Sequence, residues 1–365
     1  MNNEEIQYAT GCLLAPAPLY IASVESLLGD VALPDNFIVP YYRKYFVDEN
    51  GNYLDPSDPR WGFGFPIKNQ RAIPSCVGES TSYAKAADEG QEMSGRDAYR
   101  LAKRKDGSTD PTSWGTTIWA AIDAQIDTGI ASTISVPDTS DESVAAYVSL
   151  DDVDTVVEND RAGNKALRGY IVDRALLLQT IFQTEKPVVT STMWWDGDHD
   201  LKPGGLLPAP AGNQQGGHAI CWIGFITVGG RKLAVVPNSW SAAWGNLRGF
   251  FLVDVADANV MNRFGTGYVS VDIAADLADV LTKYDKKNVQ VAGDARIYHI
   301  EGGKAHHFAN EIVFWAFGFL FGQDVVSISA DELAAVPIGD DMDITKAPAR
   351  TTELVRQIRQ FYGKL

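Results

Sequence analysis

Cysteine is scarce in this chain of 365 residues, and that scarcity excludes a fold held together by a disulfide framework. The three cysteines, Cys12, Cys76 and Cys221, allow one bridge at most and leave one thiol free. Hydrophobic residues make up 45% of the chain and charged residues 21%, so a buried core and two or three domains are expected instead. A free thiol in such a protein is either a small buried side chain or a nucleophile.

Basic residues are also few. The chain has 31 Lys and Arg against 47 Asp and Glu, which gives a formal net charge of -16, and no basic stripe occurs along it. Nucleic acids and anionic membranes are bound through concentrated Lys and Arg. We therefore expect neither a nucleic-acid partner nor a membrane partner.

Long apolar runs and an export signal are missing as well. The longest apolar run, IVFWAFGFLFG at residues 312–322, is shorter than a membrane-spanning helix requires. The first residues, MNNEEIQYATGC, carry acidic side chains where a secretory signal carries positive ones. We expect no signal peptide and no transmembrane segment, and a cytoplasmic or particle-associated location.

The patterns that are present predict a helical first half and a β-rich second half. Helices are predicted over TSYAKAADEGQEM, MSGRDAYRLAKRK, TTIWAAIDAQIDTG and RALLLQTIFQTE, with Ser94 as an N-cap and Gly129 as a stop. Strands are predicted over PVVTSTMWW, GGHAICWIGFITV, RKLAVVPNSW and GFFLVDV. The aspartate-rich segment 137–160 is predicted to be a solvated loop or edge. This split indicates an α+β protein of two lobes with a cleft between them.

One set of residues has the chemistry of nucleophilic catalysis. Cys76 stands where a loop meets a predicted helix, so the helix N-terminus is expected to lower the pKa of its thiol. The amide of Gln70, six residues upstream, and the Cys76 backbone N–H are candidate donors to an oxyanion. Of the five histidines, His218 lies between a glycine turn and a predicted strand. Asn238 is a candidate partner that fixes its ring, and Trp240 a candidate shield of that bond.

These residues lie in segments that resemble the papain-like cysteine peptidases. KNQRAIPSCVGES is similar to the family's active-site segment, in outline KNQGxCGSCWxFS. GGHAICWIGF is similar to its histidine strand, and NSWSAAWGNLRGFFLV to its NSWGxxWGxxGYF segment. The interval from Cys76 to His218 falls within the roughly 130–150 residues typical of the family. The resemblance spans roughly residues 60–255.

The resemblance implies an activity and a set of roles. It implies a cysteine endopeptidase that hydrolyses peptide bonds through a thiolate–imidazolium pair of Cys76 and His218 and a thioester acyl-enzyme. Asn238 would orient the imidazole and Gln70 would help to hold the oxyanion. The partner would be a protein or peptide substrate, and neither a cofactor nor a metal would be needed.

The resemblance also implies the architecture. We expect a two-lobed papain-like fold, with a helical left lobe that carries the nucleophile helix and an antiparallel β-barrel-like right lobe. Residues 1–35 are predicted to be an N-terminal arm or short pro-segment that covers the cleft, and residues 36–285 the peptidase domain. Residues 286–365 are predicted to be a small C-terminal α/β accessory module. In that module we expect a hairpin turning at Gly302-Gly303, an aromatic-rich helix, and a terminal helix, TTELVRQIRQFYGKL.

The substrate cleft is predicted to include Met193, Trp194 and Trp240. The loop WWDGDHD, which follows Met193, resembles a calcium loop in the spacing of Asp196, Asp198 and Asp200. It lacks the glycine and the closing glutamate of such a loop, so we predict that it borders the cleft and holds no metal.

The segments depart from the family outline at several positions. Pro74 replaces a glycine, Val77 replaces the tryptophan beside the nucleophile, and Arg71 and Ser241 replace further glycines. These changes keep open an alternative, a catalytically inactive papain-like scaffold with a structural or binding role. A cell-wall amidase with a Cys–His pair is a third alternative, although such enzymes lack the glutamine before the cysteine and the NSW segment. Ile73 stands where animal and plant members of the family usually place a disulfide cysteine, so the resemblance implies a divergent microbial or viral member.

Overall fold

The computed structural model describes two compact units, residues 1–271 and residues 272–365. In the first unit it describes residues 10–13, 22–28, 31–138, 143–166 and 168–271. In the second it describes residues 283–291, 294–302, 304–319, 324–328, 332–333, 336, 339–342 and 347. Each unit is described by itself below.

The first unit combines helices from its first half with strands mainly from its second. The helices are Pro40–Arg43 (α1), Cys76–Glu89 (α2), Gly95–Lys105 (α3), Ile118–Asp127 (α4), Val144–Val148 (α5), Thr155–Gly163 (α6), Leu177–Thr184 (α7) and Ala258–Met261 (α8). The strands are Ala22–Ser23 (β1), Phe37–Ile38 (β2), Arg168–Val172 (β3), Val188–Trp195 (β4), Gln214–Trp222 (β5), Gly224–Val228 (β6), Arg231–Pro237 (β7), Phe250–Asp254 (β8) and Phe264–Val271 (β9).

The predicted helices are confirmed, including the N-cap of α3. Ser94 accepts a hydrogen bond from the Asp97 N–H, as an N-cap does. The prediction of a solvated loop or edge over 137–160 is wrong where α5 and α6 form. Ser143 and Asp154 cap these two helices, and Val157 packs in a small buried cluster. The acidic residues were interpreted as a sign of a solvent-exposed segment. The helix caps and this buried contact stabilise helices there instead.

Two sheets make up the β part of the unit. Their strand orders are β1-β3-β9-β4-β5 and β2-β6-β7-β8, with every pairing antiparallel except that of β1 with β3. The first sheet passes into the second between β5 and β6, where Gly224 has a φ of 156°. In the residues that the structure describes, the sheets form no closed barrel, but together with the helices they make the predicted two-lobed arrangement.

Helix α2 packs between the helical lobe and the sheets. On one side Gly78 lies so close to α3 that a Cβ there would come within 2.3 Å of the Gly95 carbonyl oxygen. On the other side the Ser80 hydroxyl donates to the Ala219 carbonyl on β5 at 2.8 Å. These contacts fix the first turns of α2 against the strand that carries His218.

The second unit is a small sheet with one short helix in its described part. Its elements are Asn288–Val291 (β10), Ile297–Glu301 (β11), Lys304–His307 (β12), Glu311–Ala316 (α9) and Val325–Ile328 (β13), in the sheet order β12-β11-β10-β13. The predicted hairpin is confirmed by the antiparallel pairing of β11 with β12. Phe308 and Phe314 are buried in its core. The predicted terminal helix over residues 351–365 lies outside the described residues.

Within the described ranges, none of the helices combines the length and the apolar character that crossing a membrane requires.

Candidate active site

Cys76 is the first residue of α2 and is fully buried. Its sulfur lies against backbone N–H groups of Ala219, Gly11 and Val77, whose hydrogen bonds favour the thiolate. Burial acts in the opposite direction and dominates, so the pKa of the Cys76 thiol is raised to about 12. The expectation that the helix N-terminus lowers this pKa therefore does not hold in the arrangement described here. The thiol is neutral at ordinary pH.

His218 is held on β5, directly opposite Thr192 of β4. Its Nε2 lies 2.9 Å from Oδ1 of Asn238. Its other ring nitrogen, Nδ1, is buried without a hydrogen-bond partner. Ala219, the next residue along the strand, presents its N–H to the Cys76 sulfur, so the strand segment that carries His218 packs on the start of α2. The structure thus brings Cys76 to the strand of His218, and bonds His218 to Asn238, from distant parts of the sequence.

Aromatic rings enclose the imidazole. Trp240 stacks on the His218 ring at a centroid distance of 4.8 Å, and Trp194 meets it edge-on at 5.2 Å. Both tryptophans are fully buried. Burial lowers the pKa of His218 to about 4, against the opposing effect of the Asn238 hydrogen bond. In this arrangement the imidazole is neutral, like the thiol beside it.

Gln70 is buried in the loop that precedes α2. Its side-chain Nε2 donates to the Ile73 carbonyl at 3.0 Å, and its Oε1 accepts from the Ser239 hydroxyl at 2.5 Å. The backbone of the loop is also tied to the segment after β7, since the Gln70 N–H donates to the Ser239 carbonyl at 2.8 Å. The two segments that carry the family motifs therefore support each other.

The replaced glycines of the motifs retain the backbone conformation that favours glycine. Arg71 has a φ of 49° and Ser241 a φ of 71°, both in the left-handed region. A side chain there costs roughly 1–2 kcal/mol relative to glycine. The substitutions therefore change the side chains without changing the local path of the chain.

A short N-terminal stretch, Thr10–Leu13, runs through the site, and we refer to it as the strap. The Cys12 N–H donates to the Gly217 carbonyl at 2.9 Å. The Thr116 N–H donates to the Gly11 carbonyl at 2.9 Å, and the Leu13 N–H donates to the Thr116 carbonyl at 2.8 Å. Gly11 fits so closely that a Cβ on it would lie 2.1 Å from the Pro74 carbonyl oxygen. The strap presents an amide N–H to the Cys76 sulfur.

Beside the strap is a cavity of about 400 Å³, lined in part by Cys12, Leu13, Ile118, Met193 and Tyr268. Met193 thus lines a cavity next to the strap. Trp194, its neighbour on β4, points to the opposite face and packs on the imidazole, as strand alternation requires. Trp240 also packs on the imidazole and does not line this cavity.

Two charged groups near the site were not singled out from the sequence. Glu79 is buried one helical turn after Cys76. The signal for it was present, because the family outline has phenylalanine at that position. Arg263 forms a salt bridge to Asp198, the aspartate weighed above as a calcium ligand, and donates to the Met193 carbonyl at 2.6 Å. No sequence pattern indicated that pair, because its members lie on separate elements.

Comparison with known proteins shows what the chain is similar to. The model of the papain family cysteine proteases matches residues 112–265, which include His218 and Asn238 but begin after Cys76. No curated protein sequence matches the chain. Among solved structures, xylellain, a cysteine protease from Xylella fastidiosa, superposes with a TM-score of 0.54 at 16% identity. That match covers 73% of this chain and 96% of xylellain.

A second solved structure, procathepsin B S9 from Trypanosoma congolense, superposes with a TM-score of 0.51 at 16% identity. The match covers 72% of this chain and 86% of the procathepsin. At this identity the two structures establish the fold, and the family model matches residues 112–265, less than half of the chain. The resemblance to papain-like cysteine peptidases predicted from the sequence is therefore confirmed.

Proposed function

We propose that this protein is a cysteine endopeptidase whose nucleophile is Cys76. The observation that carries the proposal is that a buried thiol at the first residue of α2 packs on the strand segment that carries a histidine, and that this histidine is bonded to an asparagine. The Nε2–Oδ1 bond to Asn238 holds the ring, and the unpartnered Nδ1 is left to exchange a proton with the thiol. An inert buried cysteine needs neither of these neighbours.

In the proposed reaction the proton of the Cys76 thiol passes to Nδ1 of His218. The thiolate then attacks the carbonyl carbon of the scissile peptide bond, and the resulting oxyanion is stabilised by the Cys76 backbone N–H and the Gln70 amide. His218 gives its proton to the departing amine, which leaves a thioester. Water, deprotonated by His218, hydrolyses the thioester, releases the second product and restores the thiol. Met193 contacts the peptide through the cavity that it lines.

The strap is proposed to hold this peptidase in a latent state. A nucleophile attacks a carbonyl carbon, whereas the strap offers the sulfur the N–H of Gly11. With the strap in place, burial keeps thiol and imidazole neutral; once it leaves, water enters and the thiolate–imidazolium pair becomes favourable. One of the similar solved structures is a procathepsin, which supports the interpretation of the N-terminal residues as an intramolecular cover.

The direct test is labelling with an epoxide-type inhibitor of thiol peptidases, followed by mass spectrometry to locate the adduct. We expect the adduct on Cys76, and cleavage of a peptide library that is abolished in Cys76→Ala. Cys221→Ala is the matched control, since Cys221 is equally buried but, three residues after His218 on β5, faces the opposite side of the strand. It should keep both labelling and cleavage.

The alternative function is an inactive papain-like scaffold with a structural or binding role. The observation in its favour is the strap, which fills the site and leaves both reactive groups neutral. If the protein is a dead scaffold, the epoxide will not label Cys76 and no peptide will be cleaved, even after the strap has been displaced.

A further inference from the structure

A buried carboxylate lies directly beneath the nucleophile. Glu79 is on the first turns of α2, 2% exposed, and its backbone N–H donates to the Ser75 carbonyl at 3.0 Å. Its Oε1 accepts two hydrogen bonds, from the Ser75 hydroxyl at 2.9 Å and from the Tyr147 hydroxyl at 2.9 Å. Nothing in the reaction proposed above uses this group, and burying a carboxylate is costly unless it is fully paired.

The carboxylate of Glu79 is only partly hydrogen-bonded. The second oxygen, Oε2, is buried and makes no hydrogen bond. It lies against the backbone of Gly95 at the start of α3, where a Cβ would come within 1.9 Å of it. The absence of a side chain at Gly95 thus provides the space for the carboxylate, which shows that α2 and α3 are fitted around it.

The charges that face Glu79 come from several segments. Lys68, in the loop before α2, favours the ionised carboxylate, and Asp138, in the loop after α4, opposes it. Lys68 and Asp138 are themselves joined by a salt bridge of 2.6 Å. Tyr147 of α5 supplies a hydroxyl, and α2 itself supplies the Cys76 thiol. Burial is the largest effect and raises the pKa of Glu79 to about 7.

We propose that Glu79 is a positioning residue that couples its own proton to the ionisation of Cys76. When Glu79 is ionised, its negative charge opposes formation of the thiolate one turn away; when it is protonated, that opposition disappears. The proposal rests on the proposed function insofar as it gives the thiolate a catalytic role. Its effect is to favour a reactive thiol on the acidic side of neutrality.

The two titrations are linked in sign. Ionised Glu79 raises the pKa of Cys76. Above a pH of about 7, where Glu79 is ionised, the ionised fraction of the Cys76 thiol is therefore smaller than it would be if residue 79 were neutral. A neutral residue of the same shape, as in Glu79→Gln, removes the opposition at every pH. Below about 7 the native carboxyl is itself neutral, and the two proteins should then behave alike.

The test is the rate at which iodoacetamide alkylates Cys76, followed by mass spectrometry over a range of pH in the full-length protein. Alkylation reports the thiolate and requires no peptidase activity. We expect equal rates for the native protein and Glu79→Gln on the acidic side, and a rate about threefold to tenfold higher in the variant above neutrality. The equality at acidic pH also controls for access past the strap.

Two further variants sharpen the result. Tyr147→Phe removes one donor to the carboxylate, so the pH at which the native rate profile bends should move upward. Glu89→Gln is the matched control: it removes a carboxylate from the other end of the same helix, where Glu89 pairs with Lys85. Its rate profile should follow that of the native protein.

The proposal is overturned if Glu79→Gln changes the rate by the same factor at every pH, since that is the signature of a purely structural role. It is equally overturned if the profiles of Glu79→Gln and Tyr147→Phe both match that of the native protein. If Glu79→Gln fails to fold, the test rests on Tyr147→Phe alone. The proposal then requires that the bend in its rate profile lie at a higher pH than in the native protein. A coupled profile without any peptide cleavage would remove the proposed function and leave the coupling in place.

Discussion

Burial, rather than a charged partner, sets the protonation of the two central residues of the site. The pKa of Cys76 is raised to about 12 and that of His218 lowered to about 4, both chiefly because the strap and the surrounding core exclude water. These shifts favour the uncharged form of each group. The protein therefore keeps both the Cys76 thiol and the His218 imidazole as neutral groups.

The depressed pKa of His218 makes stability depend on pH. A histidine buried as the neutral form contributes stability that is present above its unfolded pKa of 6.5 and is lost as the pH falls toward about 4. Glu79 acts in the opposite sense, because its raised pKa gives stability that is lost as the pH rises from 4.5 through about 7. In the native protein the two effects oppose each other between pH 4.5 and 6.5.

Replacing the histidine should separate the two effects. We expect the free energy of unfolding of the native protein, relative to that of His218→Gln, to increase by about 3 kcal/mol as the pH rises from 4 to 6.5. Urea unfolding followed by tryptophan fluorescence at several pH values measures the difference. If the free energies of unfolding of the two proteins changed with pH by the same amount, the imidazole would not be buried as a neutral group.

Asn238 should act on the rate of the reaction rather than on binding. Asn238→Ala removes the partner of Nε2 and leaves the imidazole free to turn, so we expect kcat to fall about 100-fold with little change in KM. Asn246→Ala is a matched control, because Asn246 lies in the same loop between β7 and β8 and its exposed side chain donates to the Lys202 carbonyl. A loss in KM alone would contradict the orienting role.

Among the secondary-structure elements, the site depends on one helix and one strand that pack against each other. They come from parts of the chain that are far apart in sequence. α2 supplies the thiol and β5 the imidazole, and the bond from Ser80 to the Ala219 carbonyl holds the two together. The strap adds a third element, hydrogen-bonded to both walls of the site through Gly217 and Thr116. Displacing the strap should therefore expose the thiol without disturbing α2 or β5.

Gly11→Ala is expected to displace the strap. The added Cβ would lie 2.1 Å from the Pro74 carbonyl oxygen, a separation that cannot be accommodated unless the strap moves. We expect epoxide labelling of Cys76 to accelerate by about tenfold or more, since opening the site lowers the pKa of the thiol and admits the reagent. Time courses of labelling by mass spectrometry provide the measurement.

The control for this experiment is Gly163→Ala, because a Cβ at Gly163 has open space around it. It should label at the native rate. If Gly11→Ala labels no faster than this control, the strap is not what restricts access to Cys76.

At the scale of the whole molecule, the chain consists of two compact units with cores of their own. The core of the first unit includes Cys76, Trp194 and Trp240, and a core of the second includes Tyr284, Tyr298 and Ile300. A unit with its own core can fold by itself. The site described here lies entirely within residues 1–271.

Truncation after Val271 tests this division. We expect the shortened chain to fold cooperatively, and its Cys76 to be labelled by the epoxide at a rate within about twofold of that of the full chain, because the described contacts of the site lie in residues 1–271. Circular dichroism on heating and the labelling rate give the two readouts. Loss of the cooperative transition would show that the second unit is required for the first to fold.

The local features of this protein could be predicted from short stretches of its sequence. The cap at Ser94, the start of the helix at Cys76 and the alternation of β4 and β5 are properties of a few neighbouring residues, and each was predictable. The order of Gln70, Cys76, His218 and Asn238 named the candidate site, because a motif records residue types and spacing. Helices α5 and α6 were missed, since their acidic residues resemble a solvated segment.

The surroundings of those residues, by contrast, depend on how remote parts of the chain pack against each other. The neutral state of Cys76 and His218 results from burial, and burial depends on how the strap, α2 and β5 pack together. The same holds for Glu79, whose pKa is raised chiefly by burial and further by the negative charge of Asp138. Desolvation and charge act through distance in space, and distances between remote parts of a chain are fixed by the fold.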